Sequence, residues 1–289
     1  MRTKILTVMI LFVLLASAAC SQVATVAAPT SEPVTLTVLA AASLTESFTE
    51  LGATFESQNP GVKVAFNFAG SQTLAEQLGQ GAPGDVFASA SKKYMTAAVD
   101  AKRVNADDAK TFVKNRLVVI FPNDNPAGIT SLADLAKPGI KLDLADKTVP
   151  VGQYALDFLD KAAADTSFPA KYKDNVLANV VSYEENVKAV VTKVSLGEAD
   201  AGVVYVTDIT AEAATKVGTL AIPTELNTVA TYPIAPIADS KNAELAKAFV
   251  VLVLSPEGQD VLAKYRFIPA ALFTVTDALG RTVTFDSKP

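Results

Sequence analysis

Short apolar runs alternate with segments of helical periodicity along most of this 289-residue chain. Residues 36–40 form the first such run, which predicts a buried strand. Directly after it, apolar side chains recur at the spacing of one helix face, at Leu44, Phe48, Leu51 and Phe55. The pattern therefore predicts a strand that turns into an amphipathic helix.

The same succession of strand and helix returns further along the chain. Residues 62–68 alternate as a half-buried strand, and residues 116–121 and 201–206 are nearly continuous apolar strands. Valines at helical intervals between Val187 and Val194 predict a helix with one inward face. This repetition predicts an α/β fold with open, mostly parallel sheets flanked by helices, in which ligands bind beyond the carboxyl ends of the strands.

Two serines stand at strand-to-helix turns. Ser43 and Glu46 have the spacing of a capping box, which predicts that Ser43 caps the first helix. Ser71 is the natural cap of the helix that follows residues 62–68. A helix N-terminus presents unpaired N–H groups and the positive end of the helix dipole, and therefore favours anions. An ordinary capped helix also explains each serine taken alone.

Three positions in the second half of the chain lie at comparable places. Val151 stands where a strand gives way to helical periodicity, Val187 stands at the start of a helical stripe, and Tyr205 lies near the carboxyl end of a strand. Packing alone accounts for each of these side chains. Their recurrence in both halves of the chain is what favours a shared binding site.

The start of the chain has a different composition. A basic beginning, an apolar stretch and small residues lead to Cys20, which is typical of a secretion signal over residues 1–19. We expect Cys20 to be lipidated after cleavage, although Ser17 stands where such signals usually carry leucine; a chance cysteine in an ordinary signal is the alternative. Residues 20–34 then form a flexible tether. No later apolar run reaches transmembrane length.

Charge and residue inventory exclude several classes of function. Without residues 1–19 the chain has 23 basic and 30 acidic residues, a net charge of −7 that argues against nucleic acid as a partner. It has no histidine, and its single cysteine lies at the end of the signal. These absences exclude Ser-His-Asp and Cys-His nucleophiles and histidine or cysteine metal sites. Carboxylate chemistry stays open, but no distinctive pair of carboxylates supports an enzyme.

Seven segments carry a resemblance to a known family. The chain resembles the periplasmic molybdate-binding proteins of molybdate ABC importers over about residues 35–269, and the matching segments follow the order of the family. They are residues 39–45 (LAAASLT), 68–75 (FAGSQTLA), 81–87 (GAPGDVF), 115–119 (NRLVV), 149–155 (VPVGQYA), 185–190 (ENVKAV) and 202–208 (GVVYVTD).

The resemblance implies a two-lobed, type II periplasmic-binding fold with the ligand in the cleft between the lobes. Residues 35–115 and 230–269 would form lobe I, and residues 116–229 would form lobe II. The family binds its oxyanion through two serines, two backbone amides and a tyrosine hydroxyl. Carried over by position, these are Ser43, Ser71, Val151, Val187 and Tyr205. Val151 stands where alanine is familiar, and the segment before it matches loosely.

The function that the resemblance implies is capture of molybdate and tungstate and their delivery to a membrane permease. The chain would be exported, lipid-anchored and monomeric. It would hold no cofactor and bind molybdenum only as the oxyanion, without direct side-chain coordination, and it would catalyse no reaction. The alternatives are a binder of another tetrahedral oxyanion such as sulfate, and an exported carboxylate-dependent hydrolase. Residues 270–289 lie beyond the region of resemblance. Their sequence pattern predicts a hairpin, to which we assign no role.

Overall fold

The structure is a computed structural model that describes residues 33–269 and the strands Phe273–Thr276 and Thr282–Phe285. The predicted signal peptide, the lipidation site Cys20 and most of the predicted tether lie outside the described residues. Within the described part, no helix is both long and apolar enough to span a bilayer.

One sheet is built from both ends of the described chain. Its strands are β1 (Val34–Ala41), β2 (Val62–Ala69), β3 (Val86–Ala88), β4 (Lys110–Asn115), β10 (Ala230–Pro236) and β11 (Ile268–Pro269). They lie in the order β11-β4-β10-β3-β1-β2. β1 pairs in parallel with β2 and β3, whereas β10 runs antiparallel to β3 and β4.

A second sheet is built from the middle of the chain. Its strands are β5 (Leu117–Pro122), β6 (Leu142–Ala145), β7 (Val180–Glu184), β8 (Ala201–Tyr205) and β9 (Val217–Ala221). They lie in the order β7-β6-β8-β5-β9. β6 pairs in parallel with β7 and β8, and β5 is antiparallel to β8 and β9.

The α/β class is confirmed, but both sheets are mixed rather than mostly parallel. The difference arises where the chain crosses between the sheets, because β5 and β10 follow such crossings and lie antiparallel to both of their neighbours. The strands β12 (Phe273–Thr276) and β13 (Thr282–Phe285) form a separate antiparallel pair.

Helices flank each sheet, and each sheet with its helices is called a lobe below. Lobe I has the helices α1 (Thr45–Gln58), α2 (Ser71–Gly79), α3 (Lys92–Asp100), α7 (Ala243–Leu254) and α8 (Pro256–Lys264). Lobe II has α4 (Pro150–Ala164), α5 (Tyr172–Ala178) and α6 (Val187–Ser195).

The apolar stripe that predicts the first helix is buried as expected. Leu44, Phe48, Leu51 and Phe55 are all at most 2% exposed. Phe249 of α7 lies between the two phenylalanines, with ring centroids 6.0 Å from Phe48 and 5.4 Å from Phe55 in edge-to-face geometry. Such aromatic contacts add about 0.5–1.5 kcal/mol each beyond area burial, so α1 is held firmly behind the turn that carries Ser43.

The two segments that cross between the lobes are joined to each other. The side chain of Asn227 accepts a hydrogen bond from the Leu117 N–H at 3.0 Å and donates one to the Leu117 carbonyl at 2.9 Å. Both residues are buried. A buried side-chain amide with both ends bonded to backbone fixes the two strand connections side by side.

Candidate functional site

A small cavity lies where the helix starts of the two lobes meet. Its empty volume, which includes solvent space at the mouth, is about 220 Å³. Small residues such as Ala42, Gly70 and Ala90 line part of it, and no charged side chain is among the described residues that do. The five predicted site residues all line this cavity: Ser43, Ser71, Val151, Val187 and Tyr205.

Ser43 lines the cavity but does not cap α1, so the capping-box prediction was wrong. A short 3₁₀ helix, Ala42–Leu44, separates β1 from α1, so Leu44 and not Ser43 precedes the first residue of α1. The Ser43 hydroxyl lies 2.9 Å from the Tyr232 hydroxyl instead. The Glu46 carboxylate, which the capping box would use, accepts both of its hydrogen bonds from Lys188.

Ser71 is the first residue of α2, and Gly70 takes the cap position predicted for it. Its hydroxyl oxygen accepts a hydrogen bond from the Ala90 N–H at 2.9 Å. A backbone N–H can only donate, so the Ser71 proton stays available for another acceptor. The side chain is 1% exposed and faces the cavity. Ser71 is therefore oriented as a donor toward whatever occupies that space.

Val151 and Val187 bring backbone amides from lobe II. Val187 is the first residue of α6, and Pro150 is the first of α4 but has no N–H, so Val151 offers the first amide of that helix. N–H groups in the first turn of a helix have no acceptor within it. The valine side chains are at most 4% exposed. The positive ends of the α4 and α6 dipoles therefore face the cavity.

Tyr205 closes the cavity at the carboxyl end of β8. The residue is 1% exposed, and its hydroxyl has no hydrogen-bond partner among the described residues. Burial raises the pKa of this hydroxyl well above its ordinary value, with further contributions from Tyr232, Tyr154 and Asp208. The phenol is therefore neutral and keeps a proton to donate. An unpartnered buried hydroxyl costs about 1–3 kcal/mol, which a bound acceptor would recover.

Charged residues lie one layer behind the cavity. Asp208 is fully buried, and burial, opposed by Lys188, raises its pKa to about 6. Its carboxylate accepts a hydrogen bond from the Tyr205 N–H at 3.1 Å. The Lys188 ammonium lies 3.6 Å from Asp208 and 2.8 Å from Glu46 of lobe I. Lys188 thus faces two carboxylates, so this layer carries no excess of positive charge, and the cavity itself is lined by neutral donors.

Three residues with a role at the site carried no recognised signal in the sequence. Tyr232 bonds Ser43, Asn115 bonds Tyr232 at 3.2 Å, and Ala90 bonds Ser71. Asn115 lies in one of the segments of resemblance, which could have marked it. Tyr232 lies outside all of them, and its contact with Ser43 joins residues 189 positions apart.

Comparison with known proteins places this architecture in a family. The family model described as "Bacterial extracellular solute-binding protein" matches residues 36–268. The chain belongs to this family. Its curated relatives include the molybdate-binding protein ModA of Mycobacterium bovis, which is 36% identical over 265 residues that span 92% of this chain and 96% of the relative. The resemblance to the molybdate-binding proteins is thereby confirmed.

Solved structures of related proteins have the same fold. The substrate-binding domain of a putative molybdenum ABC transporter from Clostridium difficile is 30% identical to this solute-binding protein, with a TM-score of 0.61 over 82% of this chain and 99% of that one. The sulfate-binding protein SubI from Mycobacterium tuberculosis has a TM-score of 0.72 over 82% and 87% of the two chains. At 19% identity, that likeness concerns the fold alone.

Proposed function

We propose that this solute-binding protein captures molybdate, and also tungstate, in the cavity between its lobes and delivers the anion to the permease of an ABC importer. The observation that carries the proposal is the convergence of neutral donors on one small space between the lobes. Ser71 and Tyr205 keep hydroxyl protons that have no acceptor among the described residues, and Val151 and Val187 offer first-turn amides. Ser43 is the fifth of the proposed donors that line this space.

These donors are sufficient in number for useful affinity. A tetrahedral dianion offers only acceptors at neutral pH, and a hydrogen bond to a charged group contributes about 1.5–3 kcal/mol. Micromolar binding corresponds to about 8 kcal/mol. Five such bonds contribute about 7.5–15 kcal/mol in total, so bonds in the middle of the range reach that value after losses from desolvation and ordering. The chain is net negative, so affinity comes from local donors and helix dipoles rather than from long-range attraction.

The absence of a carboxylate among the described residues that line the cavity favours a fully deprotonated anion. No carboxylate is among the described residues that line the cavity. Asn186 does line it, but its side-chain oxygen already accepts a hydrogen bond from the Ala189 N–H at 3.1 Å. A phosphate that carries a proton would find only neutral hydroxyl oxygens to accept it, which are weaker acceptors than a carboxylate. Phosphate should therefore bind more weakly than molybdate.

Sulfate is the nearest competing ligand, since it is also a fully deprotonated tetrahedral dianion. The chain is 36% identical, over nearly its whole length, to a relative named as a molybdate-binding protein. This similarity supports molybdate as the ligand. The likeness to the sulfate-binding protein extends only to the fold. Selection between the two anions would rest on cavity size, because both accept the same hydrogen bonds.

The remaining parts of the proposal concern the whole protein. We assign residues 35–115 and 230–269 to lobe I and residues 116–229 to lobe II. The protein would act as an exported monomer, tethered to the membrane by a lipid on Cys20, and would release its ligand unchanged. Without histidine, or any cysteine besides Cys20, Ser43 would serve as a hydrogen-bond donor and not as a nucleophile.

Calorimetric titration with molybdate, tungstate, sulfate and phosphate tests the proposal. We expect one-to-one binding of molybdate and tungstate, weaker binding of sulfate and the weakest binding of phosphate. Ser71→Ala should weaken molybdate binding by about 1–3 kcal/mol through loss of one buried donor. Ser47→Ala is the matched control, because Ser47 is equally buried but donates to the carbonyl of Leu44, which directly precedes α1. Equal binding of all four anions, or none, would contradict the proposal.

A further inference from the structure

The Ser43 hydroxyl is the end of a buried chain of hydrogen bonds that crosses lobe I. The chain runs from the backbone N–H of Arg116 to the side chain of Asn115, from there to Tyr232, and from Tyr232 to Ser43. Asn115, Tyr232 and Ser43 are at most 3% exposed. In a series of hydrogen bonds sealed from water, the direction of each bond follows from the groups that can only donate or only accept.

The direction is set at the Arg116 end. The Arg116 N–H can only donate, and it lies 2.9 Å from the Asn115 side-chain oxygen. This contact fixes which end of the amide is oxygen, so the Asn115 NH₂ group faces Tyr232 at 3.2 Å and Thr207 at 2.8 Å. The amide assignment therefore rests on a backbone donor.

The next step follows at Tyr232. Its hydroxyl oxygen accepts from Asn115, and burial raises the pKa of this phenol far above its ordinary value, so the proton is retained. Among the described residues, the hydrogen-bond acceptor for that proton is the Ser43 oxygen, at 2.9 Å. Ser43 then resembles Ser71, whose oxygen is likewise occupied by an incoming donor.

We propose that Tyr232 is a positioning residue that donates its proton to Ser43 and thereby turns the Ser43 proton into the cavity. Asn115 sets the direction of these hydrogen bonds, and its second donor bonds Thr207, which lies in the 3₁₀ helix Val206–Asp208 directly after β8. Both serines of the cavity are then held as donors before the anion arrives. This inference rests on the proposed function, because it assigns the donated proton to a bound anion.

A double-mutant cycle separates this role from a merely structural one. Molybdate affinity is measured by calorimetry for the wild type, Tyr232→Phe, Ser43→Ala and the double variant. Tyr232→Phe should weaken binding roughly tenfold, since a hydrogen bond to a charged ligand is lost or misdirected. In the Ser43→Ala background the same change should alter affinity less than about twofold, because Tyr232 acts only through Ser43.

Tyr172→Phe is the matched control. Tyr172 is also fully buried, and its hydroxyl donates to the Leu132 carbonyl at 2.6 Å, away from the cavity. This variant should bind molybdate as the wild type does. Unchanged affinity in Tyr232→Phe would overturn the inference, as would the same loss in both backgrounds. A wild type that binds no molybdate would instead refute the proposed function.

A neutron structure of the ligand-free, deuterium-exchanged protein tests the direction of the chain without any ligand or variant. We expect deuterium of Tyr232 on the line to the Ser43 oxygen, and deuterium of Asn115 on the line to Tyr232. Deuterium of Ser43 directed at the Tyr232 oxygen would overturn the inference. This result would stand whether or not Tyr232→Phe folds and whichever anion proves to be the ligand.

Discussion

The Lys188 ammonium of α6 lies 2.8 Å from both carboxylate oxygens of Glu46 in α1 and so joins the two lobes beside the cavity. Lys188 directly follows Val187, whose amide faces the ligand space. The ion pair is only partly shielded, with side chains 26% and 34% exposed. It can therefore favour the closed arrangement of the lobes only modestly.

Replacement of Glu46 by glutamine, which leaves Lys188 beside the buried Asp208, should weaken molybdate binding by up to about fivefold, because a largely exposed ion pair contributes about 0–1 kcal/mol. Glu184→Gln is the matched control, since Glu184 pairs with Lys193 inside lobe II. Calorimetry at low and high salt measures the effect, which should diminish with salt in the wild type. Equal losses in both variants would show that the pair between the lobes has no special part in closure.

Gly70 lies against lobe II beside the cavity. A Cβ at this position would lie 2.6 Å from the Glu185 carbonyl oxygen of lobe II, closer than real Cβ contacts allow, and would also meet the Gln72 side chain, which can move aside. Gly70→Ala should therefore hinder closure and weaken molybdate binding by roughly tenfold or more, in line with an overpacking cost of about 1–3 kcal/mol. Small-angle scattering with saturating molybdate should find the variant more extended than the wild type.

Gly79→Ala provides the control for Gly70→Ala. Gly79 ends the same helix, and a Cβ there would meet nothing within 4 Å. We expect wild-type affinity and equal or slightly higher stability, because alanine is the better helix former. Wild-type affinity in Gly70→Ala as well would show that the lobes tolerate the added methyl group and that closure is looser than the structure implies.

Tyr205→Phe should change stability and affinity in opposite senses. The Tyr205 hydroxyl is buried without a partner in the described part of the protein, so its removal should leave the ligand-free protein equally or more stable. The same change removes a donor to the anion and should weaken molybdate binding by about 1.5–3 kcal/mol. Thermal unfolding without ligand and calorimetric titration with it measure the two effects.

The control for Tyr205→Phe should behave in the reverse way. Tyr172→Phe breaks the hydrogen bond to the Leu132 carbonyl, so stability should fall by about 1 kcal/mol while affinity stays the same. If Tyr205→Phe destabilised the free protein as much as Tyr172→Phe does, its hydroxyl would have a structural partner and would not be waiting for a ligand.

Asp143 predicts a pH dependence of stability. Its side chain is fully buried in lobe II, and neither carboxylate oxygen has a partner among the described residues. Burial raises the pKa of this group to about 7, with Glu184 and Glu198 adding to the shift and Lys193 opposing it. The unfolded chain has a pKa near 3.9. The folded state therefore holds the proton more tightly, and the stability gained from it is present below about pH 4 and lost as the pH rises to about 7.

Asp143→Asn should remove the loss of folding stability between about pH 4 and pH 7, because the amide stays neutral at every pH. The variant should match the wild type near pH 4 and become more stable than it above pH 7, by up to about 4 kcal/mol for a shift of about three pH units. Urea unfolding at pH 4, 5, 6, 7 and 8 gives the difference. A constant difference across this range would contradict the raised pKa of Asp143.

The positions of the cavity residues could be predicted from the sequence, whereas their hydrogen bonds could not. At Ser43 and Ser71 the spacing of apolar residues changes from that of a strand to that of a helix. This change is visible in the sequence, so both strand-to-helix turns could be predicted. The capping prediction for Ser43 was wrong because the 3₁₀ helix Ala42–Leu44 shifts the start of α1. Spacing alone does not distinguish a residue that caps a helix from one in the turn before it.

The partners of the two serines depend on strand pairing over long distances. Tyr232 reaches Ser43 because β10 returns from lobe II to lie between β3 and β4. Ala90 reaches Ser71 because it follows β3, which pairs with β1. Both sheets are mixed for the same reason, because strand direction is set after the chain crosses between the lobes. Local patterns predict strands and helices, but the order and direction of strands after a chain crossing require the three-dimensional structure.

A crystal structure with bound molybdate, measured at the molybdenum absorption edge, would show directly where the anion is held. We expect one anomalous peak per protein, inside the cavity, with the anion's oxygens within hydrogen-bond distance of the hydroxyls of Ser43, Ser71 and Tyr205 and of the amides of Val151 and Val187. A peak outside this cavity, or an anion held there by a charged side chain instead of these donors, would contradict this expectation.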